Sequence, residues 1–225
     1  MAVLPIYRVN ETVKSHRYAR FPDDFRVIAE SIIDAEMLEH LRVSCYRWYL
    51  NIVPHRKCVG VVSRKDTETG TRRTVYLHRE IWEIANGGVP AGLTIDHKNQ
   101  DTLDNRLENL RLATYSQQHA NKGRFRTATS PYKGVVYFPP KHHPTLKKRW
   151  HAQVRNPGEN PFSLGYYLTP EEAGLAYELA SRKIFGEFVC LEPVPLDSIS
   201  PDRQLEIRSI VERKLRDRGL IPSDS

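Results

Sequence analysis

Alternating apolar and polar residues predict strands in the first part of the chain, after an entry over 1–30 that carries few periodic signals. Residues 46–50 alternate in this way and predict a strand with one buried face. A second strand begins at Val59, and residues 74–77 return as a third. The turn-forming run 66–70 separates the last two strands, so the pattern predicts a hairpin.

Two short helices are predicted around these strands. Asp34 is expected to cap a helix over 35–41 with its side chain. A second helix, over 79–84, ends at the Asn-Gly-Gly run 86–88, because glycine readily takes the left-handed conformation that stops a helix. Pro90 then prevents the helix from continuing.

A polar run then follows that is dense in side chains able to bind hard cations or move protons. Residues 93–95 predict a short strand that delivers Asp96 and His97. A polar loop without glycine covers 98–108, and residues 110–112 predict the returning strand. A helix that ends near Lys122 comes next. The predicted order is strand, loop, strand and helix.

Asp96 and His97 are suited to two different chemical tasks. A carboxylate is a ligand that Mg²⁺ or Mn²⁺ prefers, so Asp96 is the candidate for holding a cation. Adjacent residues of a strand point to opposite sides, so His97 need not share that cation. An imidazole titrates near neutral pH, and His97 is therefore the candidate for taking a proton from a water molecule.

Residues 74–122 resemble the HNH endonucleases, in the variety common among homing enzymes. The resemblance is carried by the Asp96-His97 pair, the loop Asp104-Asn105-Arg106-x-x-Asn109-Leu110 and the polar helix after it. It implies a ββα-metal fold with one Mg²⁺ or Mn²⁺ per active site. It also implies that Asn109 ties the loop so that His97 keeps its orientation. His78 matches a histidine that holds the hairpin or touches a phosphate, and Arg106 would brace the loop or contact phosphate.

The sequence departs from the family at the second metal ligand, on the helix. Relatives usually carry Asn or His there, and this chain aligns Gln118. Glutamine keeps the carbonyl oxygen but adds a methylene, which shifts its reach by about 1.5 Å. His119 is the neighbour, turned by about 100° around the helix. Both residues stay open as the ligand, and a weakened metal site is the third alternative.

Positive charge is concentrated in one window of the chain. The net charge is +7, and residues 121–160 hold nine Lys or Arg against one acidic residue, Glu159, a local excess of +8. Aromatic residues are interleaved with these charges. The window is typical of a phosphate-binding surface.

The second half of the chain predicts three short strands followed by a helix. Thr169 is the expected cap of that helix, with Pro170 in its first turn. Residues 130–194 resemble the Apetala-two, or ethylene-response-factor, type of DNA-binding domain, in which the sheet enters the major groove. The resemblance implies DNA contacts by five strand residues: Lys133, Arg149, Trp150, Gln153 and Arg155.

A charged helix over 201–218 closes the chain, with an apolar stripe formed by Ile207, Ile210, Val211 and Leu215. The stripe either packs on one of the domains or pairs two copies into a homodimer. Three well-separated cysteines (Cys45, Cys58 and Cys190) predict no disulfide framework. No apolar run is long enough to span a membrane and the N-terminus is too polar for a signal peptide, so an intracellular protein is expected.

The sequence thus predicts an α+β protein: a ββα-metal nuclease followed by a three-stranded antiparallel sheet with a helix. Four segments are expected: an N-terminal extension (1–73), a nuclease core (74–125), a DNA reader (130–194) and a helical tail (195–225). The predicted function is site-specific, metal-dependent cleavage of double-stranded DNA, in the bacterial cytoplasm or a phage-infected cell. The alternative is a non-catalytic DNA-binding or regulatory protein with a degenerate HNH fold.

Overall fold

The structure, a computed structural model, describes residues 2–7, 27–43, 48–50, 61–66, 72–124, 128–142, 144–155 and 160–222. The first part of the strand predicted at 46–50, the start at Val59 and nearly all of the turn at 66–70 lie outside these residues, as do Cys45 and Cys58. The chain divides into two compact units, 1–114 and 115–225. The nuclease core predicted at 74–125 extends across this division, and the four-segment scheme stays a prediction.

A five-stranded sheet forms much of the first unit. Its order is β2-β1-β3-β4-β5, antiparallel except for the β1–β3 pair. The strands are β1 (Ala2–Tyr7), β2 (Val27–Ile33), β3 (Tyr49–Leu50), β4 (Val61–Asp66) and β5 (Arg72–Tyr76), with helix α1 (Met37–Val43) after β2. The predicted pairing of the strand before 66 with the strand around 74 is confirmed, because Arg64 pairs with Thr74.

Helix α2 (Leu77–Asn86) follows β5 directly and supplies part of the apolar core of this unit. Ile81 is fully buried, together with Leu77, Ile33 and Leu41. The helix ends where the sequence predicts, since Gly87 takes a φ of 75° and its N–H donates to the carbonyl of Glu83 at 2.9 Å.

A two-stranded antiparallel ribbon, β6 (Leu93–His97) and β7 (Leu110–Thr114), completes the first unit. The connecting loop contains a 3-10 turn at Leu107–Asn109. The prediction that the Asp34 side chain caps α1 is wrong. Its carboxylate accepts the N–H of Leu107 at 2.7 Å, and α1 begins at Met37, whose N–H donates to the backbone carbonyl of Asp34. The Asp34 side chain thus fixes the loop between β6 and β7.

The second unit begins with helix α3 (Tyr115–Asn121) and continues into a three-stranded antiparallel sheet. The strands are β8 (Val135–Tyr137), β9 (Trp150–Val154) and β10 (Phe162–Tyr167), in the order β10-β9-β8, and they are followed by α4 (Pro170–Phe185) and α5 (Pro201–Arg216). The predicted cap of α4 is confirmed, because the Thr169 hydroxyl accepts the N–H of Glu172 at 3.2 Å.

Small residues let α4 lie close to the sheet. Ala173, Ala176 and Ala180 are fully buried on the face that the sequence predicts. Gly134 makes the approach possible on the strand side: its φ is 71°, and a Cβ there would stand 2.1 Å from the ring of Tyr177. Only glycine fits this position, since both the conformation and the space exclude a side chain.

Helix α5 packs within its own unit. The sequence left open whether its apolar stripe packs on a domain or pairs two copies of the chain. Ile207, Val211 and Leu215 of its stripe are buried in the same core as α4 and the sheet. A homodimer would therefore have to form through another surface. No helix among the described residues has both the length and the apolar content to cross a bilayer.

Candidate active site

Asp96 and His97 end strand β6, and both are buried, at 5% and 9% exposure. Asp96 lies opposite Arg111 in the ladder, and the Nε of Arg111 donates to Oδ2 of Asp96 at 3.1 Å. The side chains of this ion pair are 7% and 10% exposed. A cation bound by Asp96 would therefore share the carboxylate with a guanidinium.

His97 contacts two other side chains of the first unit. Its Nε2 lies 3.0 Å from Oδ1 of Asn105, and its ring meets the ring of His78 edge to face, with centroids 5.3 Å apart. Burial lowers the pKa of His78 to about 3, and the nearby charges of His97 and Arg79 add to this effect. The rings of His78 and His97 thus lie against each other at the junction of α2 and β6.

The pKa of His97 also lies below its ordinary value. Burial is the main cause, and it is opposed by the hydrogen bond to Asn105 and by the negative charges of Asp96, Asp101 and Asp104. A neutral imidazole at neutral pH can accept a proton, which is what a general base requires.

Asn109 fixes the loop that begins immediately after His97. Its Nδ2 donates to Oδ1 of Asn99 at 2.9 Å and to the carbonyl of Asp104 at 2.7 Å, and its Oδ1 accepts the N–H of Asn99 at 3.0 Å. Its backbone carbonyl accepts the N–H of Lys98 at 2.8 Å. These contacts hold the main chain of the loop, whereas the direct contact with the His97 ring belongs to Asn105. A catalytic role for Asn109 stays a prediction.

Arg106 braces the same loop. Its Nε and Nη2 each donate to a carboxylate oxygen of Asp104 at 2.8 Å, and its Nη1 pairs with Glu108. The hydrogen bond from Arg106 holds the pKa of Asp104 below its ordinary value. Of the two roles expected for Arg106, bracing has contacts in the structure, and contact with phosphate stays a prediction.

Ser31 is a residue of this site that sequence reasoning missed. It lies on β2, is fully buried, and its Oγ accepts a hydrogen bond from Nδ2 of Asn105 at 2.9 Å. The two residues are 74 positions apart in the chain. No local pattern could have found this contact.

The two candidates for the second metal ligand lie on α3, in the second unit. Gln118 is half-buried, and His119 is exposed, with its ring centroid 4.5 Å from that of Tyr115. Among the residues that the structure describes, no three His, Cys, Asp or Glu side chains are arranged to hold a metal ion. The expected ligand set, Asp96 with an amide or one histidine, has fewer such groups and stays a prediction.

Lys133 and Trp150, two of the predicted DNA contacts, have structural partners in the second unit. The Lys133 ammonium donates to the carbonyls of Ala120 (2.6 Å), His119 (3.3 Å) and Lys122, so it satisfies the end of α3. Burial lowers the pKa of Lys133. Trp150 packs against the core, with its ring 4.7 Å from that of Tyr137.

The other three predicted DNA contacts lie on the face of the sheet that α4 does not cover. Ala152 and Val154 are buried beneath α4, and residues alternate along a strand, so Arg149, Gln153 and Arg155 belong to the outer face. His151 lies on the same face, stacked on Tyr166 with centroids 4.5 Å apart. Sequence reasoning missed both aromatic residues, although the period of two from Arg149 would have indicated His151.

Phe138 joins this pair at one end, 5.9 Å from the ring of His151 and 5.8 Å from that of Tyr166. His151 is fixed by a hydrogen bond of 2.8 Å between its Nε2 and the hydroxyl of Ser163. Tyr166 is 41% exposed. The outer sheet face, defined here as Arg149, His151, Gln153, Arg155 and Tyr166, thus combines two cations with an ordered aromatic stack.

Comparison with known proteins gives one family match and two viral relatives. Residues 75–120 match the HNH endonuclease family. Protein 3.8 of Escherichia phage T7 is 40% identical over 60 residues, which are 27% of this chain and 50% of the phage protein. An uncharacterized HNH endonuclease of Acanthamoeba polyphaga mimivirus is 31% identical over 147 residues, 65% of this chain and 66% of that protein.

The matches therefore cover from half to just under two thirds of the relatives' own length. No solved structure matches the chain significantly. The family match ends at residue 120, so it does not extend to the sheet and α4 of the second unit. It does contain Asp96, His97, Asn105 and Asn109. Residues 75–120 are accordingly an HNH endonuclease domain.

Proposed function

We propose that the protein is a site-specific, divalent-metal-dependent DNA endonuclease of the homing type. The observation that carries this proposal is the arrangement at the end of β6. There, buried His97 is held by Asn105 and lies against His78, directly beside a buried carboxylate. Residues 75–120, which contain this arrangement, match a family of endonucleases.

In the proposed reaction His97 takes a proton from a water molecule as the water oxygen attacks the scissile phosphorus. The bond from phosphorus to the leaving oxygen then breaks. Burial lowers the pKa of His97 and favours its neutral state, and the ring of His78 packs edge to face against it. Asn109 keeps the main chain after His97 in place through its contacts with Asn99 and Asp104.

A buried carboxylate such as Asp96 is the kind of oxygen ligand that Mg²⁺ or Mn²⁺ prefers. Asp96 would hold one such ion together with Gln118 or His119. When bound, the ion would neutralise charge on the scissile phosphate and on the leaving oxygen. Arg111 balances the charge of Asp96 in the protein alone.

The second unit is proposed to read double-stranded DNA with its outer sheet face. Arg149 and Arg155 would contact phosphates or bases, and Gln153 has the amide that suits adenine. Lys133 and Trp150 would act indirectly, by fixing the end of α3 and the sheet. The proposal includes three further points: a reader of the Apetala-two type, a homodimer formed through a surface other than the α5 stripe, and an intracellular setting on phage or host DNA.

Plasmid nicking tests the nuclease. Purified protein is incubated with supercoiled plasmid that carries the gene's own flanking sequence, in Mg²⁺ or Mn²⁺ and with a chelator. We expect nicking only with metal, and a loss of about 100- to 10,000-fold in His97→Ala, since that is the usual contribution of a general base. The matched control is His40→Ala, an exposed histidine of the same unit. Full activity of His97→Ala would contradict the proposal.

The alternative, a DNA-binding protein with a degenerate nuclease, is favoured by Gln118 at a position where relatives usually carry Asn or His. A gel shift on the plasmid fragments used for nicking separates the two. Retarded DNA without any metal-dependent nicking would support the alternative.

Salt dependence of binding tests the reader. Arg155→Ala should weaken the binding of duplex DNA and reduce the slope of log affinity against log salt by about 1, if Arg155 contacts a phosphate. Lys183→Ala is the matched control, because Lys183 is exposed on α4, which covers the other face of the sheet. An unchanged slope for Arg155→Ala would remove Arg155 from the interface.

A further inference from the structure

A chain of hydrogen bonds joins strand β2 to the ring of His97. Ser31, Asn105 and His97 are 0%, 1% and 9% exposed, so these hydrogen bonds lie in the interior of the first unit. We propose that Ser31 and Asn105 are positioning residues for His97, and that they fix the ring tautomer in which Nε2 carries the proton and Nδ1 is the base. The catalytic part of this inference rests on the proposed nuclease function.

The orientation of the Asn105 amide follows from its partners. One amide atom lies 3.0 Å from the backbone carbonyl of Thr102 and 2.9 Å from Oγ of Ser31. A carbonyl oxygen only accepts hydrogen bonds, so the atom that faces it must be the amide nitrogen. The amide oxygen of Asn105 then has to face Nε2 of His97, at 3.0 Å.

The tautomer of His97 follows from that orientation. An amide oxygen only accepts, so Nε2 must donate and must carry the hydrogen. In a neutral imidazole only one nitrogen is protonated, so the basic lone pair belongs to Nδ1. In the proposed reaction it is therefore Nδ1 that receives the proton of the attacking water.

Ser31 holds Asn105 and the loop at the same time. Its hydroxyl donates to the carbonyl of Leu103 at 2.8 Å, which leaves its oxygen to accept from Asn105. The backbone adds two further bonds of 2.8 Å, from the N–H of Ile32 to the Leu103 carbonyl and from the N–H of Asn105 to the Ile32 carbonyl.

Strand β2 therefore fixes both the side chain and the main chain at Asn105. It lies outside residues 75–120, so the contact is supplied by a part of this chain that the family match does not include. The N-terminal sheet is thus part of the apparatus that orients the base, in addition to being a support for the domain.

The tautomer is measured on the full chain without metal or DNA. Long-range ¹⁵N–¹H correlation of histidine-labelled protein at about pH 8, where a histidine ring is neutral, distinguishes the two tautomers. The His97 signal is assigned by its absence in His97→Gln. We expect the Nε2–H pattern in the unsubstituted protein. A predominant Nδ1–H pattern, or an average of the two, would overturn the proposal.

Three variants test positioning. Asn105→Leu should lower kcat by about 100-fold with little change in KM, and Ser31→Ala by about 10-fold, because a misoriented base loses part of its contribution of about 10²–10⁴. Both should shift the tautomer ratio. Ser31→Thr keeps the hydroxyl and should retain both the rate and the spectrum.

Ile33→Val is the matched control for stability. Ile33 is fully buried on the same strand and belongs to the apolar core, so this variant weakens β2 without touching the hydrogen-bond chain. We expect it to cut DNA at the unsubstituted rate. If Ser31→Ala, with comparable loss of stability, also cuts at that rate and keeps the Nε2–H spectrum, Ser31 is not a positioning residue.

The two proposals fail in different ways. If the unsubstituted protein nicks no DNA, the nuclease proposal fails, and the spectrum still decides whether Ser31 and Asn105 fix the ring. If the protein nicks DNA and the ring has the opposite tautomer, the nuclease stands and the positioning chain is refuted.

Discussion

The loop between β6 and β7 and the core of the second unit are both built from buried side chains, but of opposite character. In the loop the buried residues are polar: Asp104, Asn105 and Asn109 are all less than 7% exposed, and each is hydrogen-bonded. In the second unit, fully buried residues such as Leu164 and Leu215 are apolar.

The difference matters because the two kinds of contact do different things. Apolar burial is non-directional and contributes mainly to stability. A buried hydrogen bond contributes about 1 kcal/mol net, yet it fixes distance and angle. Substitutions in the second unit should therefore act mainly on unfolding, and substitutions in the loop mainly on the position of His97.

The largest effect on stability is expected from the apolar core. Leu215→Ala should lower the free energy of unfolding by about 2–5 kcal/mol, because it leaves a cavity where α5 packs. Leu205→Ala, on the same helix but 65% exposed, should change it by less than about 0.5 kcal/mol. Thermal and denaturant unfolding measure both. A loss of stability in Leu215→Ala as small as that in Leu205→Ala would show that α5 does not contribute to this core.

A smaller effect is expected from the ion pair that ties α5 to the start of α4. Arg203 donates to both carboxylate oxygens of Glu172, at 2.8 and 3.1 Å, and Glu172 also accepts the N–H of Leu168. Arg203→Met should cost about 2–3 kcal/mol near neutral pH, since it leaves a largely buried carboxylate without its partner. Arg182→Met, in an exposed pair with Glu178, should cost less than about 0.5 kcal/mol.

The same pair makes the second unit sensitive to acid. Burial by itself raises the pKa of Glu172, but the hydrogen bonds and charge of Arg203, with the Leu168 N–H, bring it below its ordinary value. A depressed pKa in the folded state stabilises the protein above the unfolded pKa, and this stabilisation is lost as the pH falls through the folded value. Unfolding against pH should therefore be less acid-dependent in Arg203→Met, and an unchanged dependence would contradict this.

The smallest loss of stability is expected from a substitution in the loop between β6 and β7. Its local effect, on amide exchange in that loop, is expected to be the largest. Asn109→Ala removes the side-chain partner of the Asn99 N–H and should cost about 1–3 kcal/mol. Exchange of the Asn99 amide should accelerate while amides of β9 keep their protection, and nicking should fall. Asn86→Ala, at an exposed helix end, is the control. Uniform acceleration across the chain would show that the loop has no separate role.

Several elements could be predicted because their signals are local. Gly87 ends α2, Thr169 caps α4, and the alanines of α4 recur at the period of a helix. The same holds for the strand that ends in Asp96 and His97. A helix cap, a helix stop or a buried stripe depends on residues within one or two turns, so the amino-acid sequence contains what is needed to find it.

Other contacts could not be predicted because they depend on residues far apart in the chain. The Lys133 ammonium donates to the carbonyls at the end of α3, and its contact with DNA stays a prediction. Trp150 and Arg149 are adjacent in the sequence, and the strand sends one to the core and the other to the outer face. Charge and residue type alone do not show which side of a sheet will be covered by a helix.

The sequence by itself determined the order of the elements, the place of the Asp-His pair at the end of a strand and the HNH resemblance that the family match supports. Tertiary structure decided which amide faces His97, that Ser31 of β2 holds that amide, and where the α5 stripe is buried. The physical reason is the range of the interactions. Helix and strand periodicity is written in neighbouring residues, whereas a buried polar group is satisfied by whichever partner the fold brings within hydrogen-bond distance.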